Sequence, residues 1–154
     1  MKIKSLLGVC LLLLFSVILT GGCSKSESPE AVEYNYISPA ELKARLDAGE
    51  IAAGTLTMVS SQTEEECATG YLPDAFLTYS RPLTSDDHFA KLDPFLSIAQ
   101  DTEADIVIIC PRGQSGATRP FDYFLEQGIN RDRMLILEGG QEAYNKEFPE
   151  DIVY

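Results

Sequence analysis

The stretch Ile106-Val107-Ile108-Ile109-Cys110-Pro111-Arg112-Gly113-Gln114-Ser115-Gly116-Ala117 constrains the fold most, because an apolar run stops at a cysteine and breaks into a loop of small and polar residues. Four consecutive β-branched aliphatic residues suit a short strand buried on both faces, as in a parallel sheet covered by helices. Such a strand ends at Cys110. Ligands of open parallel sheets bind outside the carboxyl ends of the strands. Gly113, Ser115 and Gly116 permit a tight turn whose backbone N–H groups converge on one point, and that point is an anion site.

The rest of the chain supplies partners for this strand. Ser38-Pro39-Ala40-Glu41 carries an N-cap serine, a proline at the first helical position and a glutamate placed for a capping box. Leu42 and Leu46 follow at helical spacing, and Gly49 closes the helix. Thr55 to Val59 alternates and reads as a strand, leaving the sheet at Ser60-Ser61-Gln62, and Glu64-Glu65-Glu66 opens a short helix. Phe76-Leu77-Thr78 is a further strand, with Arg81 beyond its carboxyl end. Phe89, Leu92, Phe95, Leu96 and Ala99 give a helical core face that Pro94 bends or divides. After the cysteine loop, Ala117, Phe121, Phe124 and Leu125 line a helix capped by Gly128, and Pro120 predicts that its regular part starts near Arg119. Met134 to Leu137 is another buried strand, and Gly139-Gly140 turn into a last helix. The alternation of strands and helices predicts an α/β domain with a mostly parallel sheet of about five strands and helices on both faces.

The N-terminus reads as a processing segment. Lys2 and Lys4 precede an apolar stretch from Leu6 to Leu19, shorter than the ~20 residues of a spanning helix, and Thr20-Gly21-Gly22-Cys23 ends it in small residues. Residues 1–22 are therefore expected to be a signal peptide. Gly21-Gly22-Cys23 resembles the lipobox of bacterial lipoproteins, which implies lipidation of Cys23, although Thr20 stands where leucine is usual. The Ser/Glu-rich segment 23–33 reads as a flexible tether and 34–154 as a single folded domain. Loss of two lysines with the signal makes the formal net charge of −12 more negative still. Such a charge disfavours nucleic acid and leaves the N-terminal lipid as the one membrane contact. Cys10 leaves with the signal, so Cys67 and Cys110 are the two thiols of the domain, either bridged or independent.

A thiol at the mouth of a loop of inward N–H groups, just before a helix, has its thiolate stabilised by those dipoles and becomes a nucleophile. Preorganised donors of this kind also hold the charge of an incoming anion or of a covalent intermediate. With these features the chain resembles the rhodanese family of sulfurtransferases over residues 34 to 148. Cys110 to Ala117 is similar to that family's active loop, Cys-x-x-Gly-x-Arg/Ser-Ser/Ala. Gly70-Tyr71-Leu72-Pro73-Asp74-Ala75 is similar to its Gly-His-Ile-Pro-Gly-Ala segment, and Leu137-Glu138-Gly139-Gly140-Gln141-Glu142-Ala143-Tyr144 to its Leu-x-Gly-Gly-x-x-Ala-Trp ending. The resemblance implies a sulfurtransferase in which Cys110 carries sulfane sulfur as a persulfide from a small donor to a thiol acceptor. Arg112, Gly113, Gln114, Ser115 and Gly116 would hold the substrate, with no cofactor or metal, in a monomer facing the cell envelope.

Three departures oppose this activity. Ser60-Ser61-Gln62 replaces the family's Asp-Val-Arg, Pro111 removes an N–H directly after the nucleophile, and Ser115 stands where members that use thiosulfate often carry a cation. They support a second reading, a non-catalytic rhodanese-like adaptor at the membrane. The related Cys-x5-Arg phosphatases need an arginine where this chain has Gly116, with Arg119 three residues late. Arg81, Arg119, Arg131 and Arg133 are further sources of positive charge. Cys67 reads as a core residue and His88, the one histidine, as a surface residue that can build neither a Cys/His dyad nor a histidine metal cluster. The acidic groups at 64–66 and 86–87 read as solvated helix starts, and Gly139-Gly140 as a packing turn.

Overall fold

A computed structural model describes residues 32–154. The expectations of a signal peptide and a lipidated Cys23, and nearly all of the tether, lie outside the described residues. In chain order the elements are β1 (Tyr36–Ile37), α1 (Pro39–Asp47), α2 (Glu50–Ala53), β2 (Leu56–Ser60), α3 (Glu64–Cys67), β3 (Ala75–Leu77), α4 (Asp86–Phe89), α5 (Asp93–Gln100), β4 (Asp105–Ile109), α6 (Ser115–Glu126), β5 (Met134–Leu137) and α7 (Gly140–Glu147). The strands form one sheet in the order β1-β5-β4-β2-β3, and every pairing between them is parallel. The predicted α/β architecture is therefore correct, with the sheet wholly rather than mostly parallel.

β4 lies at the centre, and Ile106, Val107, Ile108 and Ile109 are all fully buried. Alternation sends them to opposite sides. Ile106 and Ile108 join Cys110 in a core with Phe95, Phe121 and Phe124 of α5 and α6, whereas Val107 and Ile109 pack with Leu42 of α1 and Tyr144 of α7. Each such burial contributes about 1.5–3 kcal/mol. An unbroken apolar run is thus what a strand with a helical layer on each face requires.

Local chemistry sets the element ends. The Ser38/Glu41 capping box forms as predicted, and a second one joins Thr63 to Glu66 at the start of α3. Pro94 divides its helix as expected: a 3₁₀ turn at Ala90–Leu92 separates α4 from α5. The short strand β1 and the one-turn helix α2 are additions. The second begins at Gly49, which closes α1 in the left-handed conformation and also opens the next turn. The expectation for α6 needs correction, since the helix starts at Ser115 and contains Pro120 within it. No described helix is long and apolar enough to cross a membrane.

Candidate active site around Cys110

Cys110 is the first residue beyond β4, at the carboxyl end of the central strand, and is 2% exposed. Register places Ser60 of β2 opposite Ile109, so Ser61 stands beside the cysteine as both strands leave the sheet. Gly113 folds the loop back with φ +66° and donates its N–H to the Cys110 Sγ at 3.1 Å. A side chain at Gly113 would come within 2.7 Å of Gly139 N and Leu137 O, so this turn needs glycine.

The Gly139-Gly140 turn supports the loop from below. At φ +63°, Gly140 approaches so closely that a Cβ would lie 2.1 Å from Cys110 O and 2.6 Å from the nitrogens of Arg112 and Gly113. The N–H groups of Gln141 and Glu142, in the first turn of α7, donate to the carbonyls of Cys110 (2.8 Å) and Pro111 (3.0 Å). These bonds fix the two carbonyls away from the thiol. The expected packing turn is therefore a clamp that shapes the cysteine loop.

On the other side of the sulfur, α6 begins. Ala117 and Thr118 give their N–H groups to Gln114 O, which leaves Ser115 and Gly116 as the first-turn donors nearest the thiol. A Cβ at Gly116 would sit 3.0 Å from Cys110 Cβ and 3.3 Å from its Sγ, so the glycine keeps the space at the sulfur open. Pro120 has no N–H for the carbonyl of Gly116 four residues earlier. Ser61 Oγ donates to that carbonyl instead, at 2.7 Å.

Cys110, Arg112, Gln114, Ser115 and Gly116 all line one cavity of about 240 Å³, together with Arg81, Pro82 and Arg119. Gly113 lies behind it, bonded to the sulfur. Of the four arginines considered from sequence, Arg81 and Arg119 thus reach the thiol cavity. Arg131 and Arg133 do not, because they precede β5 at the opposite end of the sheet, where Arg133 donates to the carbonyls of Ala99 and Ala104. The three cavity arginines differ in their charge balance. Arg81 pairs with Glu66 at 3.2 Å and Arg112 with Glu142 at 3.0 Å, whereas Arg119 donates to the carbonyls of Pro82 and Leu83. Among the described residues Arg119 has no carboxylate within ion-pair distance, although Asp86, Asp122 and Glu126 line the neighbouring pocket that it also borders.

Cys67 behaves differently. It is buried, burial pushes its thiol up, and the charges of Glu66 and Glu64 push it further in the same direction. Both cysteines are free thiols, which resolves the two readings of the pair in favour of independent residues. His88 lies at α4, its Nδ1 2.9 Å from Ser85 Oγ, away from the cavity lining. A larger open groove of about 530 Å³ between α1 and the Leu72-Pro73-Asp74 loop holds no nucleophile, and its Lys43 is paired with Asp47 and Asp151. No cluster of three potential metal ligands occurs among the described residues.

The role of Ser61 was not visible in the sequence, although an in-helix proline signals that some other donor must serve the carbonyl it leaves. Arg81 and Arg119 lie far from Cys110 along the chain or beyond the motif, and only the fold brings them to it.

Neither family models nor curated proteins give a match to this chain. Solved structures do. The chain is similar to reduced Bacillus anthracis CoADR-RHD, with TM-score 0.56 and 20% identity over 79% of this chain, though it spans only 18% of that one. It is similar to an As-Sb reductase from Leishmania major (TM-score 0.60, 16% identity), covering 77% of this chain and 81% of that one. A yeast protein tyrosine phosphatase of the rhodanese family is also similar, at TM-score 0.59 and 17% identity, with 79% and 90% covered. At these identities the likeness concerns the fold, and the described domain, with Cys110 at the carboxyl end of its central strand, has the rhodanese-like fold.

Proposed function

We propose that the protein is a sulfurtransferase in which Cys110 carries sulfane sulfur. The observation that carries this reading is the position of the Cys110 sulfur: buried, receiving the Gly113 N–H, and lining a small cavity together with Arg81, Arg112 and Arg119. In the first half-reaction the Cys110 thiolate attacks the outer sulfur of a donor. The donor S–S bond breaks, its remaining group leaves as sulfite or a thiolate, and Cys110 becomes a persulfide. An acceptor thiolate then attacks the outer sulfur and restores the Cys110 thiolate. The loop N–H groups and Arg119 stabilise negative charge through both steps. About 240 Å³ accommodates a small anion and the end of a thiol-bearing acceptor.

Arg119 partly answers the absence of a cation at Ser115, so thiosulfate belongs among the donors to be tried. The phosphatase and As-Sb reductase activities named for two of the structural neighbours are less well supported. Gly116 occupies the place of the phosphate-clamping arginine, and Arg119 lies three residues later on α6. We further propose that the domain is a monomer held in the cell envelope by a lipid on Cys23. Incubation of the purified protein with thiosulfate or glutathione persulfide, followed by mass spectrometry, should show one added sulfur on Cys110. Turnover of a phosphate ester or of arsenate without sulfur loading would replace this reading. Retention of the cellular role by Cys110→Ser would favour the adaptor.

A further inference from the structure

We propose that Ser61 is a positioning residue for the cysteine loop, made necessary by Pro120. An α-helix that contains proline loses the N–H that would serve the carbonyl four residues earlier, and the ring presses that carbonyl outward. Here the carbonyl belongs to Gly116, the residue packed against the Cys110 sulfur. Ser61, itself 1% exposed, donates its Oγ–H to that carbonyl at 2.7 Å. The same residue reaches the other walls of the cavity through its backbone. Its N–H donates to Ile109 O (2.9 Å), next to the cysteine, and its carbonyl accepts from Arg81 N (3.1 Å). Ser61 therefore joins the end of β4, the first turn of α6 and the segment that carries Arg81. In the Ser60-Ser61-Gln62 segment that replaces Asp-Val-Arg, Ser61 stands at the valine position, and its hydroxyl donates to a carbonyl as a valine side chain cannot.

The inference rests on Cys110 being the reactive group of the proposed function, yet its test needs no sulfur donor. The second-order rate of Cys110 alkylation by iodoacetamide, followed across pH in a background lacking Cys23, Cys67 and the leader, reads how the loop presents the thiol. Ser61→Ala is expected to change that rate about tenfold and to displace its pH profile. Pro120→Ala restores an N–H to position 120, so Ser61→Ala/Pro120→Ala should return to within about twofold of Pro120→Ala alone. An unaltered rate and profile in Ser61→Ala, even with a lowered melting temperature, would overturn the proposal, as would equal effects of Ser61→Ala with and without Pro120. Should Ser61→Ala fail to fold, recovery of folded protein in the double variant supports the coupling, and equal failure of both contradicts it. Normal alkylation behaviour without sulfur loading by any donor would count against the sulfurtransferase and leave this inference standing.

Discussion

At Gly140 a single methyl group would have to share space with the backbone of the cysteine loop, with Cys110 O only 2.1 Å away. Gly140→Ala is therefore expected to cost about 3 kcal/mol or more in urea denaturation, from the clash and the left-handed backbone together. Gly128 offers the control: its φ is also positive, but nothing lies within 4 Å of its missing Cβ. Gly128→Ala should cost only the conformational term of about 1–2 kcal/mol. Two tyrosines make a pH-dependent contribution. The Tyr123 hydroxyl donates to Asp93, and that bond, with burial and the carboxylate charge, pushes its pKa up to about 12. Burial, and then the bond to Asp151, also raises Tyr144. A raised pKa in the folded state means that unfolding releases a proton above pH ~10, so stability is constant below that value and falls as pH rises further. Tyr123→Phe should flatten the decline between about pH 10 and 12 in alkaline denaturation, and an unchanged slope would refute the assignment. At this scale Cys110, Gly113 and Gly116 were legible in the sequence because their relation is local. Arg119 and Ser61 were not: one depends on which way a helix faces, the other on β2 lying beside β4.

Elements carry the site through their ends. Glu66 Oε2 accepts the Thr63 N–H at 2.9 Å, closing the capping box of α3, while its Oε1 pairs with Arg81. The cap thereby positions an arginine of the thiol cavity. Thr63→Ala should lower stability by about 1 kcal/mol, measured by urea denaturation, since Glu66 N would lose its acceptor. No change would mean that α3 is held by packing alone. Strands β2, β4 and β5 and the helices with capping signals were readable from alternation and caps. The two residues of β1 and the single turn of α2 are too short to show a period. Pro120 misplaced the start of α6 because proline ordinarily marks a first turn, and here the carbonyl it abandons is served from another element.

The described domain places the buried Cys110 thiol at the carboxyl end of its central strand, in an acidic chain. Its parallel sheet, covered on both faces, follows from the fully apolar run in β4, which is why the architecture was legible before the site. If Cys23 is the lipid attachment point, Cys23→Ser should move the protein from the membrane to the soluble fraction on cell fractionation, and continued sedimentation with membranes would exclude that anchor. The most direct test of the central claim is intact-protein mass spectrometry after incubation with thiosulfate or glutathione persulfide, with peptide mapping of the adduct. A single additional sulfur atom is expected on Cys110, removed by an added thiol and absent in Cys110→Ser. No adduct with any donor, or the adduct on Cys67 instead, would contradict it.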